Sequence, residues 1–348
     1  MKSDSFVCPI PLRRYPHIVA AHGGGGQLMH DLIEEMLAPV LNTPLLQTQT
    51  DSALLPPLSG RLVMTTDSYV VQPIEFPGGD IGKLAVCGTV NDLAMSGATP
   101  RYLTLGLILE EGLPLETLHR LLVSIRDTAD EAGVMVVTGD TKVFSHPGSH
   151  GLLINTSGVG EVAESVDWHP SKIMEGDVLL VNGDIGRHGL AVMMKREGLE
   201  FESTLKSDVA LLSGAVAALQ EAGVKVKAMR DLTRGGLATA LVEMGEVSGL
   251  TLAVEEEKLP VCEAVEGACE LLGLDPLYAA CEGRFVAVIA AEDAEKALTL
   301  LKGRSDCPEP VLIGRCEGER GVPLLLKTTF GVERILHRQS GEQMPRIC

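Results

Sequence analysis

The chain is short of positive charge. Twenty-nine lysines and arginines stand against 47 aspartates and glutamates, a formal net charge of −18 over 348 residues. A surface of that sign repels phosphate backbones and anionic headgroups, which argues against nucleic-acid or membrane partners. It also means that any polyphosphate ligand needs metal ions or a local basic pocket. Aromatic residues make up only 3%, so the core must rest on leucine, valine, isoleucine, alanine and methionine. No apolar run approaches membrane-spanning length. The start, Met1 to Arg14, is broken by Pro9 and Pro11 and lacks the apolar core of a signal peptide. Eight cysteines lie far apart with no C-x-x-C pair, which points to free thiols in a cytoplasmic protein and against a structural zinc site.

What is present is an alternation of strand and helix signals over a length that favours two domains. Residues 1–50 hold a glycine-rich loop, Gly23 to Gly26, and a helix from Gln27 to Ala38 ended by Pro39. A first α/β domain covers 51–165. Its strands are expected at Leu62–Thr66, Arg101–Leu109 and Val134–Thr138, its helices at Ile81–Met95 and Leu115–Ala132. Asp167-Trp168-His169-Pro170 reads as a linker into a second domain, 166–334. There the helices are expected at Asp208–Ala222, Gly236–Val247 and Asp293–Leu301. Residues 335–348 form a tail. The expected class is α/β, with two layered domains.

Acidic residues cluster in the first domain: Thr66-Asp67-Ser68, Gly79-Asp80-Ile81-Gly82-Lys83, Asn91-Asp92-Leu93-Ala94 and Gly139-Asp140-Thr141-Lys142. Mg²⁺ prefers hard oxygen donors and is usually held by one or two carboxylates plus phosphate oxygens. Asp67, Asp92 and Asp140 fit that chemistry, with Lys83 available for a phosphate. Any one of these acids alone reads more simply as a cap or turn residue; their grouping favours a phosphate–metal site. It is not a Walker A loop, because Pro77 and Leu84 occupy the positions that need Gly and Ser or Thr. In the second domain, Arg230-Asp231-Leu232-Thr233-Arg234-Gly235-Gly236 enters a helix and offers two anion contacts. Glu282 lies just before a strand. His146, His150 and His188 are candidate acids or bases, although an isolated histidine more often has a structural role.

Together these segments resemble the HypE family, the carbamoyl dehydratases of [NiFe] hydrogenase maturation. That family sits in the aminoimidazole ribonucleotide synthetase (PurM-like) superfamily, with thiamine-monophosphate kinase and selenophosphate synthetase. The ending Pro345-Arg346-Ile347-Cys348 is what selects this member. The resemblance implies a mixed α/β and α+β PurM-like fold and a homodimer whose N-terminal sheets join into a barrel. ATP and Mg²⁺ would lie near that interface. A carbamoyltransferase, HypF, would load a carbamoyl group onto the terminal thiol, and ATP would drive its dehydration to a thiocyanate. The product would pass to a HypC–HypD scaffold complex. The metal would be held by Asp67, Asp92 and Asp140, with Asp231 as a fourth acid. Lys83, Asp80, Asn91, Thr141 and Arg230 would complete the nucleotide site. Lys142 and Glu282 would stand beside the carbamoyl group, with His150 preferred over His146 as the third group.

A nucleophile on the last residue can travel, since chain ends are rarely tied down. From Leu336 to Cys348 an extended chain spans about 40 Å, and Ser340 to Gln343 suit a hinge. Two rivals remain: a small-molecule kinase or synthetase of the same superfamily, and a non-catalytic assembly or metal-carrying protein using Cys348 as a ligand.

Overall fold

The computed structural model describes residues 15–46, 52–145, 151–199, 205–339, 341, 344, 347 and 348. His146, His150 and Arg346 lie outside the described residues.

The first helix does not stop at Pro39. It runs as α1 (Gln27–Leu32), a π-helical stretch (Ile33–Leu37) and α2 (Ala38–Leu41), ending at Asn42 in the left-handed region. Pro39 is the second residue of that last segment, where the π-helical ladder gives way to the α-helical one.

The first domain then follows in order: β1 (Arg61–Tyr69), β2 (Glu75–Phe76), β3 (Gly79–Asp80), α3 (Ile81–Met95), β4 (Thr99–Glu110), α4 (Leu115–Ala132), β5 (Met135–Phe144) and β6 (Leu152–Val162). The expected bounds of α3 and α4 are met, and each has a visible cause. Asp80 caps α3 by accepting the N–H groups of Gly82 and Lys83 at 2.8 and 3.0 Å. Gly133, at φ 67°, closes α4 in the left-handed conformation that favours glycine. The long strands form one four-stranded sheet in the order β1-β6-β4-β5. Only β4 and β5 are parallel, joined through the α4 crossover.

Strand alternation gives this sheet two unlike faces. Helix α3 packs against β1 and β6 on the inner side, which holds Tyr69, Leu105, Leu107 and Thr141. The outer side carries Leu62, Met64 and Ile108, all exposed, together with Asp140 and Lys142.

The second domain contains β7 (Val178–Val181), α5 (Arg187–Arg196), α6 (Ser213–Glu221), β8 (Val226–Asp231), α7 (Gly236–Ser248), β9 (Leu252–Glu255), α8 (Glu263–Leu272), β10 (Phe285–Ile289), α9 (Ala294–Leu301), β11 (Val311–Cys316), β12 (Leu324–Lys327) and β13 (Glu333–Ile335). Its sheet runs β13-β12-β9-β11-β7-β10-β8, antiparallel except between β9 and β12. The α/β class is as expected. The helix expected at Asp208 begins only at Ser213, because 207–212 is drawn into contacts with the first domain. Leu212 N–H donates to Asn91 Oδ1 at 2.8 Å, and Asn91 Nδ2 donates to the Ala210 carbonyl at 2.9 Å.

Candidate active site at the domain junction

Strand β1 brings Thr65, Asp67 and Tyr69 to one face by its two-residue period. All but two residues of α3 are buried, the exceptions being Lys83 and Asp92. Asp92 sits near the end of α3 that meets this face, where Thr65 Oγ1 donates to its Oδ2 at 2.7 Å. Tyr69 Oη lies 3.4 Å from Asp67 Oδ2 and 3.2 Å from Thr89 Oγ1. Lys83 is separated from Asp92 by about 13 Å along the helix and half a turn around it.

From the second domain, β8 ends in Arg230 and Asp231, and the turn into α7 follows. Gly236 has φ 59°, and a Cβ there would lie 2.7 Å from the carbonyl oxygens of Leu277 and Ala279. No other residue type fits that close approach. The turn leaves Arg234 exposed at the rim of the junction, while Arg230 pairs with Glu243 at 2.6 Å. Glu282, 3% exposed, enters from the loop before β10. Its backbone N–H donates to Asp208 Oδ1 at 3.2 Å, and its Oε1 has no hydrogen-bond partner among the described residues.

The acids repel one another, and nothing nearby fully offsets them. Burial, then Asp92, raises the Asp67 carboxyl to about 6. Burial, then Asp92, raises Asp231 to about 7, against the pull of Arg230. Glu282 is pushed well above the carboxylate range by burial first, then by Asp231, Asp208, Asp67 and Asp92. Crowding of acid at this junction raises the proton affinity of Asp67, Asp231 and Glu282 together, an electrostatic setting that favours a cation among them. Among the described residues no three acids, imidazoles or thiols converge as a metal centre by themselves.

The tail ends in this pocket. Val70 N–H donates to the Cys348 carbonyl oxygen at 3.2 Å, His188 Nε2 lies 2.5 Å from the Ile347 oxygen, and Arg234 Nη2 lies 3.9 Å from Cys348 Sγ. Burial lifts the thiol to about 11, Glu282 adds to the rise, and Arg234 opposes it. The docked sulfur is therefore a neutral thiol, not a waiting nucleophile.

The sequence candidates divide accordingly. Asp67, Asp92, Asp231, Glu282 and Cys348 come together. Asp80 is occupied as the α3 cap, and its Oδ2 accepts from Ser124 Oγ at 2.8 Å. Asn91 bridges the domains. Thr141 is buried on the inner side of β5. Asp140 and Lys142, 2.8 Å apart and both exposed, lie on the sheet's other face from Asp67. Sequence reasoning gave no role to Thr65 and Tyr69, although their two-residue spacing from Asp67 signals a shared face. Asp208 carried no such signal.

The chain matches the N-terminal domain of AIR synthase related proteins over residues 49–162 and their C-terminal domain over 174–327. It is 44% identical over 338 residues to the carbamoyl dehydratase HypE of Rhodobacter capsulatus, covering 96% of this chain and 99% of that protein. The crystal structure of the hydrogenase maturation protein HypE in complex with ATP superposes with a TM-score of 0.91 at 41% identity, covering 95% of this chain and 99% of that one. A chain of the HypE–HypF complex superposes with a TM-score of 0.77 at 43% identity, covering 88% and 99%.

Proposed function

The chain belongs to the HypE family of carbamoyl dehydratases, and from that premise we propose that it uses ATP to dehydrate an S-carbamoyl group on its own Cys348 to a thiocyanate. The observation that carries this reading is the Cys348 sulfur lying 3.9 Å from Arg234 and within the electrostatic reach of Glu282 and Asp67. A small-molecule kinase would leave that docked terminal thiol idle. The thiocyanate supplies cyanide for the iron of [NiFe] hydrogenase.

Oxide is too poor a leaving group for an amide to lose water directly. Attack of the carbamoyl oxygen on the γ-phosphorus of ATP releases ADP and makes that oxygen part of a phosphate ester. Loss of two N–H protons then forms the C≡N bond as the C–O bond breaks and phosphate leaves. Phosphoryl transfer needs mainly positioning and charge neutralisation. Asp67, Asp92 and Asp231 are the residues that would hold Mg²⁺, which would supply charge neutralisation at the phosphates. Arg234 orients the sulfur. Glu282 accepts an N–H proton once cationic charge in the pocket has lowered its proton affinity enough for it to release its own proton and ionise.

Asp140 and Lys142 belong to the same reading only through a second copy. They lie across the sheet from Asp67, so they reach a nucleotide site if another chain seats on the outer face, where Leu62, Met64 and Ile108 stand exposed. A homodimer is therefore part of the proposal. Asp80, Lys83, Asn91, Thr141 and Arg230 are assigned to shaping the nucleotide site, and His150 to the carbamoyl end. HypF would load the tail and a HypC–HypD complex would receive the product. The setting is the cytoplasm, where the free cysteines of the described chain stay reduced.

The test is the mass of the C-terminal peptide after loading by HypF with carbamoyl phosphate and ATP. Further incubation with ATP is expected to remove the mass of one water from that peptide. A loaded peptide that stays unchanged would overturn the reading.

A further inference from the structure

The tail is held by more than its last residue. The Ile347 carbonyl oxygen lies 2.5 Å from His188 Nε2. A carbonyl can only accept, so Nε2 carries the proton, and Nδ1 accepts from the Ser207 hydroxyl at 2.8 Å. Ser207 is fixed in turn: its N–H donates to the Pro77 carbonyl at 2.8 Å, and its Oγ accepts from Val209 N–H at 3.1 Å. Phe76 meets the imidazole edge to face, with centroids 5.3 Å apart. His188 is fully buried, and burial holds its basicity down, so the ring stays neutral in this single tautomer.

Three residues before Ile347, Met344 is also buried. Its sulfur occupies the space a side chain at position 189 would take, since a Cβ on Gly189 would lie 2.6 Å from Met344 Sδ. His188 and Gly189 are consecutive residues at the start of α5. One helix end thus meets the tail twice, once at a backbone carbonyl and once at a side chain.

We propose that His188, together with the Gly189 seat for Met344, is a positioning site that sets the register of the tail so that the sulfur stops beside Arg234 and Glu282. The carbonyl it holds belongs to the residue just before the thiol-bearing one. A slip of one residue would move the sulfur by roughly 3.5 Å, enough to leave the pocket's contacts. This inference rests on the reading that the docked tail is the reacting form.

The test uses the full-length protein and three variants. His188→Leu removes the donor, His188→Gln keeps an N–H near the Nε2 position, and Gly189→Ala fills the methionine seat without touching the imidazole. The rate at which iodoacetamide alkylates Cys348, read on the C-terminal peptide, measures how often the tail leaves. H188L and G189A are expected to be alkylated roughly five- to tenfold faster than wild type, with H188Q close to wild type. ATP affinity is expected to stay unchanged in all three, and single-turnover dehydration of a preloaded tail to slow in H188L and G189A. Unchanged alkylation in H188L and G189A would overturn the proposal; if H188L does not fold, G189A decides alone. Failure of the parent reading would look different, because the loaded wild-type tail would then keep its mass in the presence of ATP.

Discussion

Two groups of acids meet on the loop before β10, and they are treated oppositely. Asp184 and Asp208 share Arg284, at 2.9 and 3.8 Å, and that arginine is also tied to the carbonyls of Asp184 and Gly283. Two residues away, Glu282 faces Asp67, Asp92 and Asp231 with no buried cation of its own. In the first group Arg284 hydrogen-bonds the Asp184 carboxylate and stands close enough to Asp208 to offset its charge, although Asp208 Oδ2 accepts no hydrogen bond among the described residues. The second withholds compensation at the junction of two domains, where the terminal sulfur docks. Gly283 joins them: a Cβ there would come within 1.9 Å of the Asp208 carbonyl oxygen, so the backbone passes where no side chain fits. The comparison teaches that acid without a neighbouring buried cation, rather than buried acid as such, marks the reactive pocket.

Four experiments sharpen or break this contrast. The largest effect is expected from Cys348→Ala, which should abolish thiocyanate formation while ATP binding, followed by calorimetry, persists. Loss of ATP binding would mean that the tail shapes the nucleotide site itself. Glu282→Gln should lower single-turnover dehydration by about 10²- to 10⁴-fold without lowering the melting temperature, since it removes an unpaired acid. Arg284→Leu should do the reverse. It strands Asp184 and Asp208 and should cost roughly 3–5 kcal/mol in urea unfolding, or prevent folding altogether.

The last test is the pH dependence of stability. Asp67 and Asp231 have folded-state values raised to about 6 and about 7. Raised acids favour the folded state while protonated, so their contribution is complete below the ordinary carboxylate range. It is lost as pH rises from about 4 through about 7. The nucleotide-free protein should therefore lose stability across that window, and Asp67→Asn with Asp231→Asn should flatten the loss. A profile that rises with pH in wild type and is untouched by the double variant would contradict the claim that these acids are uncompensated.

Much of the fold was legible because its signals are local. Asp80 and Gly133 bound α3 and α4 within one turn of chain, and the alternation around Asp67 marks a half-buried strand. Residues 208–212 misled because Asn91, more than a hundred positions away, recruits their backbone before a helix can start there. The site was half legible for the same reason. Asp67, Asp92 and Asp231 stand out beside strand ends and glycines, and the terminal cysteine stands out by position. That Asp140 and Lys142 share a face is visible from their spacing, but which face depends on how β5 registers against β4. That register includes an irregularity between Leu103 and Thr104. The seat of the tail depends on a contact between His188 and Ile347, 159 positions apart, which no pattern within either segment announces.

The most direct test of the account is a crystal structure of the carbamoylated protein with a non-hydrolysable ATP analogue, read for the separation between the carbamoyl oxygen and the γ-phosphorus. The account predicts the tail docked as here, with that oxygen at a near-attack distance of about 3–3.5 Å and Glu282 facing the carbamoyl nitrogen. A docked tail whose carbamoyl group points away from the nucleotide, or one that leaves the pocket once the nucleotide is bound, would contradict it.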